Sequence, residues 1–198
     1  MIKNNNKIPV SFYRKEDVIQ ISKSLLGKKI YSNINNHIVS GMIVETEAYN
    51  GVEDRASHAF NNNLTKRTQP MFCNGGISYV YMCYGIHCLF NIVTNNKNIP
   101  DAILIRAVQP LSGINIMKKR RKIQKDKLCS GPGCFTKSFG INIKHNQQSL
   151  ISNTIWIENY KSINESNIIC SPRVGIDYAK DFKLKPWRFR IKNNLYTS

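Results

Sequence analysis

Apolar and polar positions follow two different rhythms along this 198-residue chain. Residues 15–26, KEDVIQISKSLL, put Val18, Ile21, Leu25 and Leu26 on one helical stripe, and Gly27 stands where that helix would stop. KKIYS and HIVSGMIVETEAY read as strands joined by an Asn-rich turn. Residues 77–94, ISYVYMCYGIHCLFNIVT, read as two apolar and aromatic strands folded into a hairpin around Gly85. DAILIRAV is a further buried strand carrying a single charge at Arg106. SGINIMKKRRKIQKDK is expected to form a helix with an intensely basic second half, GPG at 131–133 to open a short helix, and KPWRFRIK to form a last strand. The pattern predicts a mixed α/β (α+β) fold. Residues 1–198 are expected to form a single compact domain with a predominantly antiparallel sheet, flanking helices and a protruding β-hairpin, with the Asn-rich residues 1–8 disordered.

One strand departs from its own pattern. In GMIVETEAYNGVEDRASHAF (41–60), an apolar run is followed by Glu45 and Glu47 where further hydrophobes are expected. Regular alternation would put Met42, Val44, Thr46 and Ala48 on one face, and Ile43, Glu45, Glu47 and Tyr49 on the other. Two readings stay open: a partly desolvated pocket, where burial readies a carboxylate as a general base, or an edge strand with one face in water. Arg106, flanked by AILI and AV, calls for an anionic partner, either as a structural ion pair or beside Glu47. Tyr79 and Tyr81 can face a core. Tyr84, directly before Gly85, falls at the hairpin tip, where an exposed ring suits stacking on bases or wedging into a duplex.

Composition adds a partner. There are 29 Lys and Arg against 12 Asp and Glu, so 29 − 12 gives a net charge of +17, which favours polyanions or an anionic surface. MKKRRKIQKDK (117–127) could be a solvated face. With the Gly-rich CSGPGCF at a helix start, it could instead hold phosphates. No apolar run approaches the roughly 20 residues needed to span a bilayer, and MIKNNNKIPV contains no apolar signal region. The expectation is an intracellular protein without membrane attachment, whose six cysteines are reduced thiols. The two C-x4-C spacings, with His87 inside the first, sit in apolar or Gly-Pro contexts, and no metal site is expected from them.

VETEAYNGVEDRASHA (44–59), MFCNGGISYVYMCYGIHCLFNIV (71–93), AILIRAVQPLSG (102–113), LCSGPG (128–133) and SPRVGID (171–177) together resemble the alkyladenine (3-methyladenine, methylpurine) DNA glycosylases, in that family's order and over nearly the whole chain. The resemblance implies a monofunctional glycosylase of base excision repair. It would flip alkylated purines such as 3-methyladenine and 7-methylguanine out of double-stranded DNA, hydrolyse the N-glycosidic bond and leave an abasic site. By the matching motifs, Glu47 would activate the water, and Arg106 and the carbonyl of Val174 would hold it. Tyr49 would face His58 and Tyr81 across the flipped base, Asn91 would reject guanine, and Tyr84 would wedge into the minor groove. Gly131, Gly133, Lys137, Lys118, Arg120 and Arg121 would meet the DNA backbone. Glu45 would be structural. The resemblance implies no cofactor, no metal and a monomer, located in the cytoplasm or nucleoid of a bacterium or the nucleus of a eukaryote.

The chain departs from the family pattern at Cys134, where the family often has lysine, and at the turn NGG (74–76) and the loop KRTQPMF (66–72). Two rivals remain at this level. LCSGPGCFTKSF loosely resembles the hairpin of helix-hairpin-helix glycosylases and lyases, with Lys137 as a nucleophile. A non-catalytic nucleic-acid binder built on the basic helix is the other.

Overall fold

A computed structural model describes residues 6–15, 17–122 and 127–198. Among these, the chain forms α1 (Val10–Tyr13), α2 (Val18–Leu25), β1 (Lys29–Ile34), β2 (His37–Tyr49), β3 (Ile77–Cys83), β4 (His87–Thr94), β5 (Asp101–Ser112), α3 (Ile114–Arg121), α4 (Pro132–Phe139), β6 (Ile155–Glu158), β7 (Ile168–Ser171) and β8 (Arg188–Ile191). Short 3-10 turns complete the connections. The strands make one antiparallel sheet in the order β3-β4-β5-β2-β1-β6, with β8 pairing both β2 and β7. The fold is α+β, as the pattern predicts.

Local chemistry explains the main elements. Asp17 caps α2 by accepting from the amides of Ile19 and Gln20, and Val18, Ile21, Leu25 and Leu26 are all buried. They pack with Ile43, Ile105, Val108, Phe135 and Phe139 in a core between the sheet and its helices. Asn35 and Asn36, at φ 55° and 59°, take the two left-handed positions of the β1–β2 turn, which Asn tolerates better than most residues.

Three expectations change. Of the segment expected to be disordered, residues 1–5 lie outside the described residues, while residues 6–8 pair with the sheet: Lys7 bridges to Glu158, the Ile8 amide donates to Ile157 O at 2.9 Å, and Ile8 is buried. The described part of the basic helix ends at Arg121, with Lys122 in the left-handed region at φ 55° as its cap. Residues 123–126 of the expected helix lie outside the described residues.

The third change bears on the site, because β2 does not alternate regularly. Its register with β5 shifts three times, and the last two bear on the site: Val44 is extra on β2 between Ile43 and Glu45, and Arg106 is extra on β5 between Ala107 and Ile105. The paired bulges reverse the phase. Ile43 joins Ala48 in the helix-side core, while Met42 and Val44 pack with Ala107 in a separate cluster. Val44 and Glu45 therefore share a face, and Glu47 and Tyr49 continue it. β2 is also no edge strand. β5 pairs along one side, and β1 then β8 along the other, so Glu45 and Glu47 are both fully buried.

Candidate active site

The re-phased face of β2 forms the floor of a cavity of about 510 Å³. Glu47 lies on that floor with a donor to each oxygen. The Val174 amide donates to Oε1 at 2.9 Å, the Tyr49 hydroxyl donates to Oε2 at 3.0 Å, and Arg106 Nη1 stands 3.3 Å from Oε1. Burial pushes the Glu47 carboxyl above the usual carboxylate range, against the opposing pull of Arg106, the Val174 amide, Tyr49 and Arg188. The group is thus desolvated, yet held by the donors that favour its ionised form.

Arg106 serves both acids. Its Nε donates to Glu45 Oε1 at 2.8 Å. Burial opposes the guanidinium charge, but Glu47 and Glu45 outweigh it and raise the Arg106 pKa. Arg106 is thus both an ion pair to Glu45 and a neighbour of Glu47. Arg188, opposite Glu47 on β8, adds a second cation to Glu45 Oε1 at 2.7 Å.

The walls are aromatic. Tyr49, with Ile176 and Tyr178, lines one part of the cavity, and His58, Tyr79 and Tyr81 line another. Tyr81 lies 4.7 Å from His58 between ring centroids and 5.3 Å from Tyr79. His58 Nδ1 stands 2.9 Å from the Tyr79 hydroxyl, and Nε2 stands 3.4 Å from Arg67 Nη2. A guanidinium can only donate, so Nε2 accepts and Nδ1 carries the proton. Burial, reinforced by Arg67, pushes the His58 pKa down to about 4 and keeps the ring neutral at physiological pH. Asn91 is also buried on the cavity wall, its amide donating to Tyr79 O at 3.1 Å.

Tyr84 sits at the cavity mouth on the β3–β4 tip, 89% exposed. Tyr84 and Gly85 both have positive φ, 49° and 69°, with Ile86 N donating to Cys83 O at 3.1 Å. A bulky side chain in the left-handed region costs on the order of 1 kcal/mol, and such strain gathers at functional sites.

Several residues that pattern reading passed over complete the arrangement. Arg173 is buried and forked on Asp54, with Nη2–Oδ1 at 2.8 Å, and its guanidinium lies 4.7 Å from the Tyr49 ring and 5.1 Å from Trp187. It ties the loop before Val174 to the loop after Tyr49. Arg67 stacks 4.8 Å from the Tyr81 ring. The signal available for Arg173 and Asp54 was their position inside SPRVGID and VETEAYNGVEDRASHA. For Arg67 there was none beyond its charge.

The expected backbone contacts divide. Pro132 lines the cavity between Gly131 and Gly133, and Gly133 passes so close to the His87 ring that a Cβ would stand 2.8 Å from it. Lys137 follows on α4. Lys118, Arg120 and Arg121 lie on α3, which packs on α4 and β2, and none of them lines the cavity. Arg120 donates to the carbonyls of Ser138 and Ile34, and Arg121 to that of Leu128. Among the described residues no three His, Cys, Asp or Glu side chains gather to hold a metal, and no helix is long and apolar enough to cross a membrane.

A buried, donor-held carboxylate thus lies at the floor of an aromatic cavity, beneath a projecting ring on a basic protein. The family model of methylpurine-DNA glycosylase matches residues 11–195. A Chlamydia felis protein is 44% identical over 187 residues, covering 93% of this chain and 95% of its own, and carries the provisional name 3-methyladenine DNA glycosylase. Proteins with the same provisional name from Natranaerobius thermophilus (37% identical, 97% and 98% covered) and Clostridium novyi (39%, 94% and 96%) are also similar. The chain belongs to the methylpurine-DNA glycosylase family. It is a DNA glycosylase, a hydrolase of N-glycosyl bonds acting in DNA repair.

Proposed function

We propose that the protein releases alkylated purines, 3-methyladenine and 7-methylguanine among them, after rotating the damaged nucleotide into the 510 Å³ cavity. The observation that carries this reading is Glu47, buried and held by Tyr49, Val174 and Arg106 at the floor of an aromatic cavity. Glu47 takes a proton from water, and the water oxygen bonds to C1′ of the deoxyribose. The C1′–N bond breaks with its electron pair passing to the purine, which leaves an abasic site. Alkylation at N3 or N7 makes the bound purine cationic and weakens that bond in advance. Arg106 and the Val174 main chain orient the carboxylate and its water.

Tyr49 on one side, with His58 and Tyr81 on the other, holds the purine, and an aromatic sandwich favours a cationic ring. Asn91 crowds the exocyclic amine of guanine. Tyr84 fills the gap in the duplex, and Gly131, Gly133 and Lys137 meet backbone phosphates. Lys118 stays a candidate for a peripheral contact, while the carbonyl bonds of Arg120 and Arg121 favour a structural role for those two.

A base-release assay on duplexes carrying alkylpurines, hypoxanthine or ethenoadenine tests the reading. Release of the alkylpurines is expected, and a protein that releases none of them contradicts it. Borohydride trapping is expected to give no covalent complex; a trapped Lys137 adduct would favour the lyase rival.

A further inference from the structure

The end of the described chain reaches the acid pair from outside the cavity. Tyr196 packs on Met42, Val44 and Ala107, and Asn194 Nδ2 donates to Gln109 Oε1 at 2.9 Å. These contacts deliver Ser198 to Glu45. The Ser198 amide donates to Glu45 Oε2 at 2.6 Å, and its hydroxyl lies 2.9 and 3.1 Å from the two carboxylate oxygens. Arg188 spans the junction, donating to Glu45 through Nε and to the Ser198 main-chain oxygen through Nη2.

This arrangement decides how Arg106 spends its three nitrogens. Nε goes to Glu45 Oε1, Nη2 to the Ser198 hydroxyl at 3.3 Å, and Nη1 to Glu47. A guanidinium beside a carboxylate prefers a two-point fork, with Nε and Nη2 on the two oxygens. Among the described residues, both donors to Oε2 come from Ser198, so the place that would complete the fork is already filled. Taking Ser198 away would let Arg106 turn onto Glu45 and leave Glu47.

We propose that Ser198 is a positioning residue for the glycosylase reaction: by occupying Glu45 Oε2 and accepting from Arg106 Nη2, it keeps Arg106 aimed at Glu47. This inference rests on the reading of Glu47 as the base. Arg106 on β5 and Arg188 on β8 face Glu47 as cations, the Tyr49 hydroxyl lies on its own strand, and Arg173 in the adjoining loop is neutralised by Asp54. Losing Arg106 therefore removes the nearest cation and makes Glu47 harder to ionise.

The test is single-turnover excision from methylated duplex as a function of pH, with binding to an abasic-analogue duplex measured in parallel. Ser198→Ala removes the hydroxyl and Ser198→Pro also removes the amide proton. The single-turnover rate near pH 7 should fall about tenfold in Ser198→Ala, the scale of one hydrogen bond to a charged group, and further in Ser198→Pro. In both variants the acid limb should move to higher pH, so that activity partly returns above pH 8, with affinity for the abasic analogue unchanged. Ser198→Thr, which retains both groups, should restore the wild-type profile. Superimposable profiles overturn the proposal, as does a uniform loss at every pH accompanied by weaker binding. Glu47→Gln in the same assay separates the two claims. If that variant excises normally, the reading of the base fails; if it is inactive while the Ser198 variants match wild type, the positioning role alone fails.

Discussion

Tyr49 has two tasks that can be separated experimentally. Its ring lines the cavity, and its hydroxyl donates to Glu47 Oε2 at 3.0 Å. Tyr49→Phe keeps the ring and removes a donor that favours the ionised carboxylate. The Glu47 pKa, already raised by burial, should rise further. On the proposed reading of Glu47 as the base, only its ionised form is active, so the acid limb of the excision profile should move upward, and the variant should lose more rate at pH 6 than at pH 8. An unchanged limb would mean that the hydroxyl does not tune Glu47. His58 should contribute no limb between pH 5 and 8, because its pKa lies near 4.

Asp101 lies outside the site and predicts a stability effect. Burial raises its carboxyl pKa from 3.8 to about 6, against a hydrogen bond from Asn95. The folded state then holds a proton that the unfolded state has released, so stability falls as pH rises from about 4 to 6 and is level beyond. The upper bound is about 3 kcal/mol, from a shift of about two units. Asp101→Asn should raise Tm at pH 8 relative to wild type, with the difference shrinking as pH drops below 5. Equal differences at both pH values would contradict this account.

Elements carry the next level of the argument. The β1–β2 and β3–β4 turns both use paired positive φ, but one fills them with Asn35 and Asn36 and the other with Tyr84 and Gly85. A tyrosine held in that conformation and 89% exposed gains nothing from folding. Tyr84→Asn should therefore hold or raise stability by up to about 1 kcal/mol, while weakening binding to duplex DNA with an abasic analogue. Retained affinity would remove the wedge role.

Which elements exist was legible in local pattern: the α2 stripe, the Gly85 hairpin and the strand carrying Arg106 all appear where expected. The phase of β2 was not. Alternation assumes one residue per step, and the paired bulges at Val44 and Arg106 break that assumption only when β2 and β5 meet. β6 and β7, four residues each, are too short to show a period, and their strand character comes from their partners.

The chemistry of the whole molecule joins distant pieces. Glu47 is linked to Val174, 127 residues away, and Glu45 to Ser198, 153 residues away. No spacing rule reaches that far, so the resemblance to known motifs carried the site, and composition carried only the polyanion. With a net charge of +17, binding to duplex DNA should weaken roughly tenfold or more between 50 and 200 mM salt. A flat salt response would argue against phosphate contacts. The charge alone would also suit a non-catalytic binder; it is the family match over residues 11–195 that makes the chain a glycosylase.

The decisive comparison is Glu47→Gln against wild type, with base release and affinity measured on the same methylated duplex. The substitution keeps the shape of the side chain and removes the proton acceptor. Release should fall by roughly 10²-fold or more while binding to that duplex persists. Release at the wild-type rate would contradict the assignment of Glu47 as the base that activates water.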